Sequence, residues 1–189
     1  MMTTRSHLQI VVADGVIRED TCYFRTRHLP CLDTFRLDDV ERLFLKLFRH
    51  LCASLANDTR DGWEAALVDA ERAIGEPDGS ALVHDIVPLL HAIRDERCGG
   101  FSFMPADCAI CSNRMSEEEH LTLDLVRAAR IGDETALLSN ARALAGDTGA
   151  SRLTCAARVL GEYLNMYALC AELRHPARSS AQSESGSGR

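Results

Sequence analysis

Three cysteines in the middle of the chain, Cys98, Cys108 and Cys111, form the group of side chains in this sequence that is best suited to binding a metal ion. They follow a Cys-x9-Cys-x2-Cys spacing in a stretch without helical periodicity. A Cys-x2-Cys turn can direct two thiolates at one ion, and Cys98 can supply a third sulfur once the loop folds back. His120 follows as a candidate fourth ligand. The spacing therefore predicts a metal site formed by Cys98, Cys108, Cys111 and His120.

Zinc is the ion that this donor set favours. It prefers sulfur and imidazole ligands in tetrahedral geometry, and structural zinc sites join helices through loops. An iron–sulfur cluster is the first alternative, and it would need a fourth cysteine such as Cys22 or Cys31. The second alternative is three thiols without a metal. The dipeptide Ala109-Ile110 is less favourable for zinc than the small, turn-forming residues of zinc knuckles.

Signatures of catalysis are missing from the sequence. It contains no phosphate-loop, dinucleotide-binding, zinc-protease or serine-hydrolase motif. Glu117 and His120 match one Glu-x-x-His step of di-iron bundles, but such a site needs a second copy. Neither His84 nor His91 has a glutamate three residues before it. We therefore assign no catalytic residue and do not expect an enzyme.

The segments on either side of these side chains are predicted to be helices. Apolar residues recur with helical period from about residue 37 onward. We expect about six helices, over about 37–57, 60–74, 80–97, 116–130, 134–145 and 151–173, with Pro88 kinking or starting the third. Arg42, Lys46 and Arg49 fall on the polar side of the first helix. The cysteine loop lies between the third and fourth helices.

A capping box fixes where the fourth helix begins. Ser116 is followed three residues later by Glu119, the pattern in which each side chain caps the other residue's backbone N–H. This start places His120 on the first helical turn. The apolar loop residues Phe101, Phe103 and Met104 are expected to enter the core.

The predicted fold class is all-α, a bundle or array of about six helices. We expect one helical domain over 37–175, and an extended N-terminal segment over 1–36 that packs on it. A short hairpin is expected there around Asp14-Gly15. The Ser/Gly-rich tail over 176–189 is expected to be disordered. The last helix carries apolar residues on two faces, which suits a central helix or one that pairs with another chain.

The composition of the chain argues against several classes of function. The 189 residues carry a formal net charge of −7, which argues against nucleic-acid binding by bulk charge. No apolar run is long enough to span a membrane, and the first residues do not resemble a secretory signal. Eight cysteines in a cytoplasmic chain are expected to be reduced or bound to metal. The arginine-rich, lysine-poor composition is typical of a bacterial protein.

These observations lead to one expected function and two alternatives. We expect a cytoplasmic interaction or regulatory protein with a structural zinc site, whose partner is another protein or a second copy of the chain. The first alternative is a redox- or metal-responsive regulator that uses the same thiolates. The second is an enzyme with an unrecognised helical active site.

Overall fold

Six α-helices make up most of the part of the chain that the structure describes. The computed structural model describes residues 8–10, 26–97, 99–146 and 150–174, with side-chain surroundings from residue 26 to residue 169 within these ranges. The helices are α1 (Asp39–Asn57), α2 (Asp61–Ile74), α3 (Asp78–Glu96), α4 (Glu117–Ile131), α5 (Glu134–Ala145) and α6 (Ser151–Arg174). The predicted all-α class with about six helices is confirmed.

Neighbouring helices pack in sequence order, and the last one closes the array. α1 packs against α2, α2 against α3, and α4 against α5, whereas α6 packs on both α3 and α4. The largest buried side chains come from α1, α3, α4 and the cysteine loop, and include Phe44, Phe48, Phe103, Leu82, Ile86, Met115 and Leu123. The core therefore joins α6 to α3, in the first half of the chain, and to α4, in the second half.

The first helix is more buried than its periodicity suggested. Asp38 accepts a hydrogen bond from the Glu41 N–H, and the Glu41 carboxylate accepts one from the Asp38 N–H, so that a capping box starts α1. Arg49 and His50 are each only 3 % exposed. Arg49 lies on the polar side of α1, as the periodicity predicted, but it is buried because α4 and the cysteine loop cover it.

The cysteine loop enters the core through its first residues. Phe101, Phe103 and Met104 are buried, as predicted. Phe101–Phe103 forms strand β2, which pairs in parallel with strand β1 (Leu8–Ile10). The hairpin expected around Asp14-Gly15 lies outside the described residues.

α3 and α4 flank the cysteine loop, so the end of α3 and the start of α4 set its limits. α3 runs through Pro88 and begins at Asp78, so the proline neither starts nor ends it. The capping box of α4 is confirmed: Ser116 Oγ accepts from the Glu119 N–H at 3.1 Å, and Glu119 Oε2 accepts from the Ser116 N–H at 2.9 Å. None of the helices in the described ranges is long and apolar enough to cross a membrane.

Candidate functional site

Two of the predicted ligands, Cys108 and Cys111, lie on one tight turn of the cysteine loop. The Cys111 N–H points at Cys108 Sγ, with the nitrogen 3.4 Å from the sulfur. The Ser112 N–H donates to the Cys108 carbonyl oxygen at 2.8 Å, which closes the turn. A short 3₁₀ helix begins at Cys111. The turn thus brings both cysteines together and supplies a backbone donor to one sulfur.

A buried ion pair fixes the end of this loop. Arg49 Nε and Nη2 donate to the two carboxylate oxygens of Glu119 at 2.7 and 3.0 Å. The same guanidinium donates to the carbonyl oxygens of Ser112 at 2.7 Å and Arg114 at 2.5 Å. Glu119 Oε1 also accepts from the Met104 N–H at 2.9 Å. The residues immediately after Cys111 are therefore held by α1 and α4 together.

The segment before α1 lies against the same loop. Cys31 forms an antiparallel bridge with Arg114. Arg114 Nη1 donates to the Leu29 carbonyl oxygen at 3.0 Å, and the Met115 N–H donates to the Pro30 carbonyl oxygen at 3.2 Å. Cys31 Sγ lies 3.7 Å from a carboxylate oxygen of Asp33. The chain around residue 30 thus lines the loop's C-terminal end.

His120 occupies the first turn of α4, as the capping box predicted. Its Nε2 lies 3.2 Å from Asp124 Oδ2, one helical turn further on. Its ring packs edge-on against Phe35, with centroids 4.7 Å apart. A carboxylate partner on one imidazole nitrogen is common behind metal-binding histidines, because it fixes the ring and its tautomer.

The structure does not bring all four predicted ligands together. Cys98 lies outside the described residues. Within the described ranges, no three His, Cys, Asp or Glu side chains are arranged to hold a metal ion, so His120 does not complete such a group with Cys108 and Cys111. The four-ligand site stays a prediction, and its turn of two cysteines is the part with observed geometry.

Cys52, another cysteine near the ion pair, packs in the core. Cys52 follows Arg49 by one turn on α1 and is fully buried. Burial, and then the negative charge of Glu119, raise the pKa of the Cys52 thiol well above its usual value, against the opposing effect of Arg49. Cys52 is therefore a neutral thiol that packs as a small apolar side chain.

A second polar cluster touches the loop on its N-terminal side. His50 Nε2 lies 3.1 Å from Asp69 Oδ2, and Lys46 Nζ lies 2.8 Å from the same oxygen. Burial alone would raise the pKa of the Asp69 carboxyl, but its hydrogen bonds and charge interactions with Lys46 and His50 outweigh it and lower that pKa. His50 Nδ1 lies 3.9 Å from Asp107 Oδ2, directly before Cys108.

Sequence reasoning missed Arg49 and His50 as residues that support the loop. Both fall between the apolar positions of α1, and Arg49 is 70 residues from its partner Glu119. Glu119 itself was identified only as a cap. The sequence feature that could have indicated a partner was the run of three glutamates at 117–119, because a capping box needs only one of them.

Comparison with protein-family models, with curated proteins and with solved structures finds no match for this chain.

Proposed function

We propose that this chain is a cytoplasmic interaction or regulatory protein whose cysteine loop binds zinc. Cys98, Cys108 and Cys111 would supply three sulfur ligands, and His120 is the proposed fourth. The zinc would act as a structural link between α3, which ends just before Cys98, and α4, which begins just after the loop. A site of this kind contributes to folding and needs no open coordination position.

The observation that carries the proposal is the turn at Cys108 and Cys111. Hydrogen bonds donated to ligand sulfurs tune and stabilise metal–thiolate centres. The Cys111 N–H directed at Cys108 Sγ, at 3.4 Å, is such a contact. Cysteine binds zinc as a thiolate, and a thiolate sulfur accepts a hydrogen bond of this kind.

The rigidity of the loop supports the proposal further. A metal site needs supporting contacts that hold its ligands in place before the ion arrives. Arg49 holds the carbonyl oxygens of Ser112 and Arg114, and Glu119 holds the Met104 N–H at the loop's other side. The loop is thereby fixed at both sides of the cysteine turn.

Elemental analysis of full-length protein purified without added metal tests this function. We expect about one zinc per chain, lost in Cys108→Ser and in Cys111→Ser, because each substitution removes one sulfur ligand. Cys155→Ser is the matched control, since Cys155 is an exposed thiol on α6 and its loss leaves the loop intact. His120→Ala should lower zinc affinity if His120 is the fourth ligand. Well-folded wild-type protein without zinc, or zinc retained in both loop variants, would contradict the proposal.

A further inference from the structure

A cavity of about 600 Å³ lies between α3 and α6, and apolar side chains form most of its wall. The apolar residues that line it are Val87, Pro88 and Ala92 of α3 and Cys155, Ala156 and Val159 of α6. Further along α6, the side chains of Tyr163, Met166 and Leu169 are between 36 % and 60 % exposed. This side of α6 therefore carries an apolar hollow next to a set of projecting apolar side chains.

The residues of this surface recur along α6 with the spacing of a helix that packs on another helix. Ala156, Val159, Tyr163 and Met166 follow one another at intervals of three, four and three residues. Alternating intervals of three and four keep side chains on one stripe, through which paired helices interlock. The stripe that faces the core is a different one, formed by Leu153, Ala157, Leu160 and Leu164. α6 thus has a second stripe that suits another helix.

Opposite charges lie at the two ends of this surface. Arg152 lines the cavity at one end, where its Nη1 donates to Asp95 Oδ2 at 2.8 Å, and its side chain stays 64 % exposed. Asp85 lies one end of α3 away, ten residues before Asp95 and thus about 15 Å along the helix. Its Oδ2 accepts from the Tyr167 hydroxyl at 3.3 Å.

The Asp85 carboxyl is in a setting that a cation would improve. Burial raises the pKa of this carboxyl, against the opposing hydrogen bond from Tyr167 and the charge of His84. A positive group brought close to Asp85 would therefore stabilise its carboxylate form.

We propose that a second copy of the chain binds this surface, with the two α6 helices antiparallel about a two-fold axis at the level of Gly161. Tyr163 of each copy then lies at the level of Val159 of the other, and Met166 at the level of Ala156. These projecting side chains enter the cavity of the other copy, so the surface is complementary to itself, as a two-fold interface requires.

Charge complementarity selects the antiparallel orientation. Arg152 of one copy lies about 5 Å along the helix from the level of Tyr167 of the other, within reach of Asp85 there. A parallel pairing would instead place Arg152 against Arg152 and Asp85 against Asp85, which like-charge repulsion opposes. Glu162, near the two-fold axis, meets its own counterpart, a contact at the surface that salt screens. The dimer rests on the interaction role proposed above and gives it a partner, but it makes no use of the zinc site.

Disulfide crosslinking of the full-length protein tests the orientation. In the antiparallel pair the two Cys155 residues stand about 18 Å apart along the helices, whereas Cys155 and position 169 of the other copy differ in level by only about 3 Å. We expect Leu169→Cys, oxidised with copper phenanthroline, to form a disulfide between Cys155 and the introduced cysteine of the other copy, located by peptide mass spectrometry. Adding Cys155→Ser should abolish it. A disulfide between two Cys155 residues in the wild type, or no link in Leu169→Cys, would overturn the proposal.

A charge swap tests the ion pairs between the copies. Arg152→Glu and Asp85→Arg should each weaken the dimer about tenfold in sedimentation equilibrium, because each replaces two attractive contacts with repulsive ones. The double variant should recover most of the affinity, and the separation of the two sites within one chain excludes recovery through an internal contact. Arg142→Glu, at an exposed arginine of α5 that does not line the cavity, is the matched control and should leave the dissociation constant unchanged. A double variant as weak as the single ones would contradict the pairing.

Two further measurements complete the test. Far-UV circular dichroism establishes that each charge variant is folded, and the crosslinking result decides the proposal if one of them is not. Zinc analysis of the same samples separates the dimer from the zinc site. A monomeric wild type at high concentration that holds zinc would refute the dimer alone, whereas a crosslinked dimer without zinc would refute the zinc site alone.

Discussion

At the scale of single residues, Arg49 makes the contacts that hold the cysteine loop in place. Its guanidinium is 3 % exposed, and the Glu119 carboxylate that it meets is fully buried. Taking both charges out of water costs free energy, which is offset here because all their hydrogen-bonding groups converge on partners. Removing one member would leave the other as an uncompensated buried charge.

We predict that Arg49→Met lowers the free energy of unfolding by about 3–5 kcal/mol, the range for breaking a buried ion pair. Urea unfolding followed by circular dichroism measures the loss. The variant should also lose zinc, because the carbonyl oxygens of Ser112 and Arg114 lose their donor. Arg49→Met combined with Glu119→Gln should recover part of the stability, since no buried charge then remains.

Arg127→Met is the matched control for this prediction. Arg127 also links α4 to α1, through Glu41 at 2.7 Å, but it lies away from the cysteine loop and is 28 % exposed. Its loss should reduce stability less than the loss of Arg49 and leave the zinc content unchanged. Equal losses of stability and zinc in the two variants would show that the Arg49 pair has no special role at the loop.

At the scale of elements, α1 and α2 approach each other closely at Gly62. A Cβ added to Gly62, at the start of α2, would collide with the His50 carbonyl oxygen and lie 2.9 Å from the Ser54 nitrogen. Both atoms belong to the backbone of α1 and cannot rotate away. The absence of a side chain at Gly62 thus sets how closely the two helices pack.

We predict that Gly62→Ala destabilises the protein by about 1–3 kcal/mol, as overpacking does, although alanine favours a helix intrinsically. Thermal unfolding followed by circular dichroism provides the measurement. Gly99→Ala is the control, because nothing lies within 4 Å of a Cβ at that position. If both variants melt at the wild-type temperature, the close approach of α1 and α2 is not tight in solution.

Periodicity and caps were sufficient to predict the helices but not the contacts between distant segments. The apolar repeat of α1 and the Ser116–Glu119 box correctly placed two of the elements beside the loop. The pairing of β1 with β2 could not be read from the sequence, because both strands are short and far apart in the chain. The same holds for Arg49, whose burial depends on a partner that helical spacing does not reveal.

At the scale of the whole molecule, α6 contributes to the core with one face and exposes an apolar surface with another. Leu153, Ala157, Leu160 and Leu164 are buried, whereas Val159, Tyr163, Met166 and Leu169 are between 36 % and 60 % exposed. Val159 also lines a cavity of about 600 Å³ between α3 and α6. An exposed apolar stripe on a helix suits a protein partner, which can be a second copy of the chain.

We predict that the chain self-associates through this face of α6. Sedimentation equilibrium should give about twice the mass of one chain for the wild type and a mass close to one chain for Met166→Glu, because a buried carboxylate opposes an apolar interface. Val68→Glu, at an exposed apolar position on α2, should leave the dimer intact. A monomeric wild type at high concentration would exclude the homodimer.

The separation of Arg49 and Glu119 along the chain has a consequence for synthesis on the ribosome. The guanidinium emerges 70 residues ahead of its counter-charge. Until Glu119 follows and α4 forms, burying the Arg49 side of α1 would leave a cation without a carboxylate in an apolar surrounding. We therefore expect the Arg49 side of α1 to stay hydrated until α4 has been made, and the cysteine loop to take its final shape only then.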